Sequence, residues 1–339
     1  MKRILTVILS VLLVFTAAFA VACKDDSAKN GSVSVKYYAQ ASDMLPMLKQ
    51  GQLSIGLLPE PAATQLTKMA SDKTWYRLDV QELYDSESKS YPQAVMLVKE
   101  SLLSAFPNLT SEMANSFATN IQWVKDNVSV AVNAVNTHLE SGVTASLKAA
   151  NITAEVVDNC KIYWQGASDA KDAVKDYIDD IIAIEETSAK AVSDDMFYNG
   201  QASGTFNADT VKVVAPDGAP ALAIAKFIND GQNFNTGKAF SYNVVASGNI
   251  GKAVQQGTGD IVIIPVNAAS KLYKANASDA YKLVSVVTHG NLYIMSTEKL
   301  DAVTALKDKT MGVIGQGLVP DLTLKAVLNK FNMSAKVAV

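Results

Sequence analysis

Apolar positions along this chain follow two spacings, and one combination of the two occurs twice. Residues 50–68, QGQLSIGLLPEPAATQLTK, and residues 256–274, QGTGDIVIIPVNAASKLYK, agree at Gln50/Gln256, Gly51/Gly257, Ile55/Ile261, Pro59/Pro265, Ala62/Ala268, Ala63/Ala269, Leu66/Leu272 and Lys68/Lys274. Each copy carries a short apolar run, at 53–58 and 260–264, then a proline-marked turn, then an Ala-rich stretch with apolar positions three to four apart. That pattern predicts a buried strand, a turn and a helix. Two such units far apart predict two similar α/β lobes, and open α/β sheets place ligands beyond the carboxyl ends of their strands. A cleft between the lobes follows.

Further apolar runs predict strands at 94–98, 211–215, 292–295 and 311–314. Between residues 100 and 191 the strand signal fades, and helical spacing takes over at 111–127, 128–139 and 167–189. Ser111 with Glu112 and Ser168 with Asp169 supply polar, acidic helix starts. Residues 199–209, NGQASGTFNAD, read as a linker. Two strand-to-helix turns hold chemical content: 216–220 (PDGAP) before a helix at 221–228, and Gly315-Gln316-Gly317 before a helix opened by Pro320 and Asp321. Glycines there let backbone N–H groups approach a ligand, and a helix start adds partial positive charge. These turns suit a carboxylate, sulfonate, phosphate or polar heterocycle; a purely conformational role for the glycines is the alternative.

Lys2 and Arg3 precede an apolar run, 4–22, that ends in small residues, the form of a secretory signal peptide. A retained membrane-spanning helix is the other reading of that run. Ala20-Val21-Ala22-Cys23 resembles the bacterial lipobox, with Ala20 where that pattern prefers Leu. The resemblance implies a signal peptide at 1–22, acylation of Cys23 and a lipid-anchored polar tether at 23–32. Residues 23–339 exceed what one hydrophobic core usually serves, so two domains are expected. With 30 Lys and Arg against 33 Asp and Glu, a net charge of −3, the chain lacks the basic balance that nucleic acid demands. Cys160 is the second of two cysteines and lies in the apolar stretch VVDNCKIYW, which predicts a buried, inert thiol and neither a disulfide nor a thiolate metal cluster after Cys23 is acylated. The two histidines, His138 and His289, stand apart, and no nucleophile–base or metal-ligand spacing is visible. A protein that is not an enzyme, without metal or cofactor, is the expectation.

APDGAPALAIAKF, IVIIPVNAASKLY, THGNLYIM, GVIGQGLVPDLTLKAVL, IGLLPEPAATQL and DNCKIYWQGASDAKDAVKDYID together resemble the solute-binding lipoproteins of ABC importers, in the nitrate/sulfonate/taurine and thiamine-pyrimidine branch. The resemblance implies an α/β, two-lobed periplasmic-binding-protein fold of type II-like form with the ligand cleft between lobes. It implies a monomer, lipid-anchored at the outer face of the bacterial cytoplasmic membrane, that captures a small polar or anionic solute by lobe closure. An ABC permease and its ATPase are the implied partners. An enzyme of related fold acting on a pyrimidine-like molecule, and a ligand sensor without a permease, are the alternatives.

The order of the blocks departs from the family. There the PDGAP, PVNAA, GNLYI and GQGLVPD blocks come first, followed by LLPEP and the last helices; here the LLPEP half precedes them. The chain therefore resembles a circularly permuted member, with the terminal KVAV leading into SVKYYAQ as one strand. A reordered sequence that does not fold as the blocks imply is the competing explanation. The permuted organisation assigns 33–100 plus 307–339 to lobe two and 205–300 plus about 150–195 to lobe one, with 101–149 bridging the lobes and 196–210 as linker. Matched to the family, the ligand-binding candidates are Asp217, Gly218, Ala219, Asn267, His289, Gly290 and Asn291 in lobe one, and Gly315, Gln316, Gly317 and Glu60 in lobe two. Local alternatives are a turn or cap for Asp217, an N-cap for Asn267, a helix start for Glu60 and a packed bystander for His289.

Overall fold

A computed structural model describes residue 29 and residues 31–276 and 278–338. The expected signal peptide, Cys23, the tether up to residue 28 and Val339 lie outside the described residues.

Twelve strands organise the described chain: β1 (Gly31–Tyr38), β2 (Ile55–Pro59), β3 (Tyr76–Asp79), β4 (Pro92–Lys99), β5 (Ile162–Gly166), β6 (Thr210–Pro216), β7 (Ala239–Val245), β8 (Ile261–Pro265), β9 (Tyr281–His289), β10 (Leu292–Ser296), β11 (Thr310–Ile314) and β12 (Met333–Val337). They form two six-stranded sheets, ordered β12-β1-β11-β2-β10-β3 and β5-β9-β4-β8-β6-β7. The duplicated sequence marks equivalent places in the two. β2 lies parallel to β11 and antiparallel to β10, and β8 lies parallel to β6 and antiparallel to β4. Both are covered on two faces, which is why each reads as a continuous apolar run rather than an alternation. Each is followed by its helix, Ala62–Met69 and Val266–Leu272.

The chain passes between the sheets at two places among the described residues, from β3 to β4 and from β9 to β10. This corrects the expected lobe boundaries. β4, placed with 33–100, belongs to the second sheet, and β10, placed with 205–300, belongs to the first. Each is inserted antiparallel between two strands of its sheet, β4 between β8 and β9 and β10 between β2 and β3. An apolar run shows that a strand is buried but carries no mark of its partner, since pairing is a tertiary choice.

The segment 101–149 does not bridge. Its helices Leu109–Asp126 and Val128–Asn136 bury Met113, Phe117, Val124 and Val135 in one core with Val211, Val213, Ile263 and Val284 of the second sheet. Contact with the first sheet's side comes just beyond, where Lys68 Nζ donates to the Ala150 carbonyl at 3.0 Å. The bridge is instead the helix Ala167–Ile184, which lies on β4, β5 and β9 and also meets the helix Val319–Lys330, with Tyr177 and Thr323 hydroxyls 2.5 Å apart. The expected linker runs along the second sheet, where Tyr198 N donates to Leu283 O at 2.9 Å.

The chain ends also differ from expectation. β12 and β1 are not one strand but parallel neighbours, with Val33 opposite Ala335 and Val35 opposite Val337. Val33 and Val35 are fully buried, and β1 gains ladder partners on both sides by lying between β11 and β12. The less apolar β12 takes the edge, where exposed Lys336 and Val337 are tolerated.

Candidate functional site

Register lines up one edge of the second sheet. β6 and β8 run parallel, with Val214 opposite Val262, and end together at Pro216 and Pro265. β4 sets Ala94 opposite Pro265 and Pro92 opposite His289. Asp217, Asn267, Gln93 and His289 therefore follow one another along the carboxyl edge, the place the strand-end rule selects.

At the β6 end, Asp217 Oδ2 accepts from Ser146 N at 2.7 Å and its own N–H donates to Val245 O at 2.9 Å, while Oδ1 is buried without a protein partner. Gly218 sits at φ 108°, ψ −148°, a conformation that favours glycine, and Ala219 opens the short helix Ala219–Leu222. Gly218, not Asp217, is the N-cap residue. At the β8 end Asn267 is 2% exposed; Nδ2 donates to Ser188 O at 3.1 Å and Oδ1 has no partner. Asn267 lies inside the helix whose N-cap is Pro265, so it does not cap. Gln93 Oε1 and Thr288 Oγ1, also unpartnered, lie on the neighbouring β4 and β9. Sequence reasoning missed both, because a polar residue at a strand end carries no local signal.

His289, Gly290 and Asn291 form the β9-to-β10 passage. His289 is 3% exposed and stacks on Tyr163 with centroids 3.5 Å apart and planes 5° off parallel. Its Nε2 lies 3.1 Å from Gln165 Oε1 and its Nδ1 3.3 Å from Lys161 O. Burial pushes its pKa down to about 4, against a smaller opposing effect of the Lys161 carbonyl, so the ring is neutral at pH 7. Gly290 N donates to Tyr91 O at 2.9 Å, and a Cβ there would stand 2.3 Å from Tyr91 Cε1 and 2.7 Å from Gln81 Cγ. Gly290→Ala is expected to cost about 1–3 kcal/mol by overpacking this passage. Urea unfolding measures it, and an unchanged midpoint contradicts the tight approach.

Asn291 is 1% exposed; its Nδ2 donates to Glu60 O at 3.4 Å, its O accepts from Glu60 N at 3.0 Å, and Oδ1 has no partner. Glu60 itself is fully engaged: Oε1 accepts from Arg77 at 2.7 Å and Thr64 Oγ1 at 2.9 Å, and Oε2 from Thr64 N at 3.0 Å. Its carboxylate ties Thr64 to Arg77, with both oxygens engaged, while its backbone holds Asn291. Beneath Gly290, Tyr91 stacks on Tyr177 at 5.4 Å, and Tyr84 meets both edge-on.

On the first sheet, the turn after β11 is satisfied from within. Gly315 N donates to Tyr38 O at 2.9 Å and Gly317 N to Asp321 Oδ2 at 2.8 Å, with φ 66° and 70° at the two glycines. Gln316 is exposed. The anion cradle expected here is thus filled by the chain's own carboxylate. Asp321 is fully buried and also accepts from Tyr37 Oη at 2.8 Å and Lys325 Nζ at 2.9 Å. Lys325 donates onward to Glu185 at 2.8 Å, Glu185 O accepts from Ser188 N, and Ser188 O holds Asn267. Burial opposes the Lys325 charge, but the Glu185 and Asp321 carboxylates outweigh it and raise its pKa above the ordinary lysine value. This polar chain connects the glycine turn of one sheet to the edge of the other.

The candidates thus divide. Asp217, Gly218, Ala219, Asn267, His289, Gly290 and Asn291 lie along one edge; Gly315, Gln316 and Gly317 reach it through Asp321, Lys325 and Glu185. Tyr163 and Gln165 were legible only as part of the block 158–179. Two hollows lie elsewhere and include none of the unpartnered atoms: about 360 Å³ beside β6 and β7, with Lys212, Ser241 and Lys252 in its wall, and about 460 Å³ by Ser34, Gln52 and Thr310.

No protein-family model and no curated protein matches the sequence. Among solved structures, NikA from Brucella suis in complex with Fe(III)-EDTA is similar with a TM-score of 0.30 and 9% identity, over 84% of this chain and 59% of that chain.

Proposed function

We propose that this chain is an extracytoplasmic solute-binding protein of an ABC importer, monomeric and two-lobed in the type II-like manner, with a circularly permuted order. Lobe two comprises residues 31–79 and 292–338 and lobe one residues 92–289. Two chain passages joining two sheets of matching strand arrangement support a hinged pair of lobes. Permutation is supported by β11 and β12 sharing a sheet with β1 to β3 and by the adjacency of β1 and β12. The observation that carries the binding role is the row of buried, unpartnered oxygens at Asp217, Asn267 and Asn291 along a carboxyl edge. A buried polar group without a partner costs about 1–3 kcal/mol, which a bound solute recovers. Gly218, Ala219, His289 and Gly290 shape that edge, and Gly315, Gln316 and Gly317 close over it from lobe two.

The test is small-angle scattering and calorimetry on protein freed of bound molecules by partial unfolding, then given back what it released. A smaller radius of gyration and saturable heat are expected; no released molecule and no solute-dependent change overturn the proposal. Cys23 is the proposed lipid anchor, since two acyl chains hold a protein at a membrane where one is marginal. Cys23→Ser is expected to abolish fatty-acid labelling and release the protein; labelling that persists in the variant contradicts the anchor.

A further inference from the structure

Three of the unpartnered atoms along the candidate edge, on Asp217, Asn267 and Asn291, share one chemical character, beside the Thr288 hydroxyl, which can donate or accept, and the Gln81 amide nitrogen, a donor. Asn267 Nδ2 donates to Ser188 O and Asn291 Nδ2 to Glu60 O, so turning either amide over would set two carbonyl oxygens against each other. The free atoms of both are therefore acceptors. Asp217 Oδ1 is a carboxylate oxygen, and Asp217 has no cationic partner among the described residues. The other carboxylates close by do have one: Glu60 pairs with Arg77, and Asp321 and Glu185 share Lys325. On the opposite sheet, the Gly317 and Gly315 N–H groups are taken by Asp321 and Tyr38.

We infer that the edge binds its solute through N–H-bearing cationic groups, of ammonium or guanidinium type, and not through a carboxylate, sulfonate or phosphate. The inference rests on the solute-binding reading above. β6 and β8 are neighbours, about 4.8 Å apart, so one N–H head reaches both Asp217 and Asn267. Asn291 follows β9, separated from β6 by β8 and β4, on the order of 14 Å in strand spacings. It takes a second donor at the other end of the solute. An elongated molecule with N–H groups at both ends satisfies all three oxygens, and a charged donor on an ionised acceptor is the stronger kind of hydrogen bond.

Calorimetry and thermal melting with agmatine, putrescine, choline, succinate and inorganic phosphate test this. Agmatine or putrescine is expected to bind and raise the melting temperature, with choline, a cation lacking N–H, and both anions inactive. Asp217→Asn keeps an acceptor for Ser146 N but replaces the free oxygen by a donor, and at least a tenfold loss of affinity for the bound diamine is expected; Asn267→Ala is expected to lose a similar factor. Melting of each unliganded variant separates lost binding from lost folding. Binding of phosphate or succinate, equal binding of choline, or no response to any cation overturns the inference. The solute-binding reading survives those results if a released molecule of other chemistry still closes the protein, and fails only when none does.

Discussion

Arg77→Met is expected to lower the unfolding free energy by about 3–5 kcal/mol, the range for removing one partner of a buried ion pair. The Glu60 side chain is fully buried, whereas that of Arg77 is 30% exposed, so the deleted charge leaves a carboxylate with no access to water. Thr64 N and Oγ1 still donate to it, which places the effect toward the lower end of the range. The double variant Glu60→Leu, Arg77→Met should recover part of the loss, because no uncompensated charge remains. Urea unfolding of the single and double variants measures both effects, and a single variant within 1 kcal/mol of the parent removes the ion pair from the stability of the passage. Solute affinity should fall with it, since Glu60 N and O hold Asn291 in place.

Acid is expected to weaken the fold through His289 before most carboxylates titrate. Its pKa is about 4 in the folded chain against 6.5 for the free side chain. As pH falls below 6.5 the unfolded chain takes up a proton that the folded chain refuses, so stability drops with pH. The loss continues down to about 4, where the folded state binds the proton too, and its full extent is on the order of 3 kcal/mol. At pH 5 most of it, about 2 kcal/mol, is already present. The groups against the ring are the neutral Tyr163 and Gln165 and the Lys161 carbonyl, so no carboxylate partner rewards protonation. His289→Gln should be less stable than the parent at pH 7 but lose less between pH 7 and pH 5. Equal losses in the two proteins exclude His289 as the source.

The residues 50–68 and 256–274 announced their structure because both strands are buried on two faces and both helices follow a proline turn. Such local signals survive without knowledge of any partner. The candidate positions Asp217, Asn267 and His289 came from turns beside apolar runs together with the family resemblance. The chemistry assigned to Gly315–Gly317 was not legible. An open glycine turn and one closed by its own carboxylate look alike until Asp321, one helical turn on, is seen donating nothing and accepting from Gly317 N. Gln93 and Arg77 gave no signal at all, and Thr288 only as part of the block THGNLYIM, since what matters is which strand lies beside them.

The sequence by itself determined the α/β class, the two equivalent units, the burial of Cys160 and the near balance of charge, all of which follow from short-range periodicity and composition. Tertiary structure alone decided that β4 and β10 change sheets, that β12 lies beside β1 rather than continuing into it, and that the helices of 101–149 serve one sheet. Hydrophobic burial is nondirectional and can be read along a chain, whereas strand pairing and the completion of a buried hydrogen bond depend on a specific partner distant in sequence.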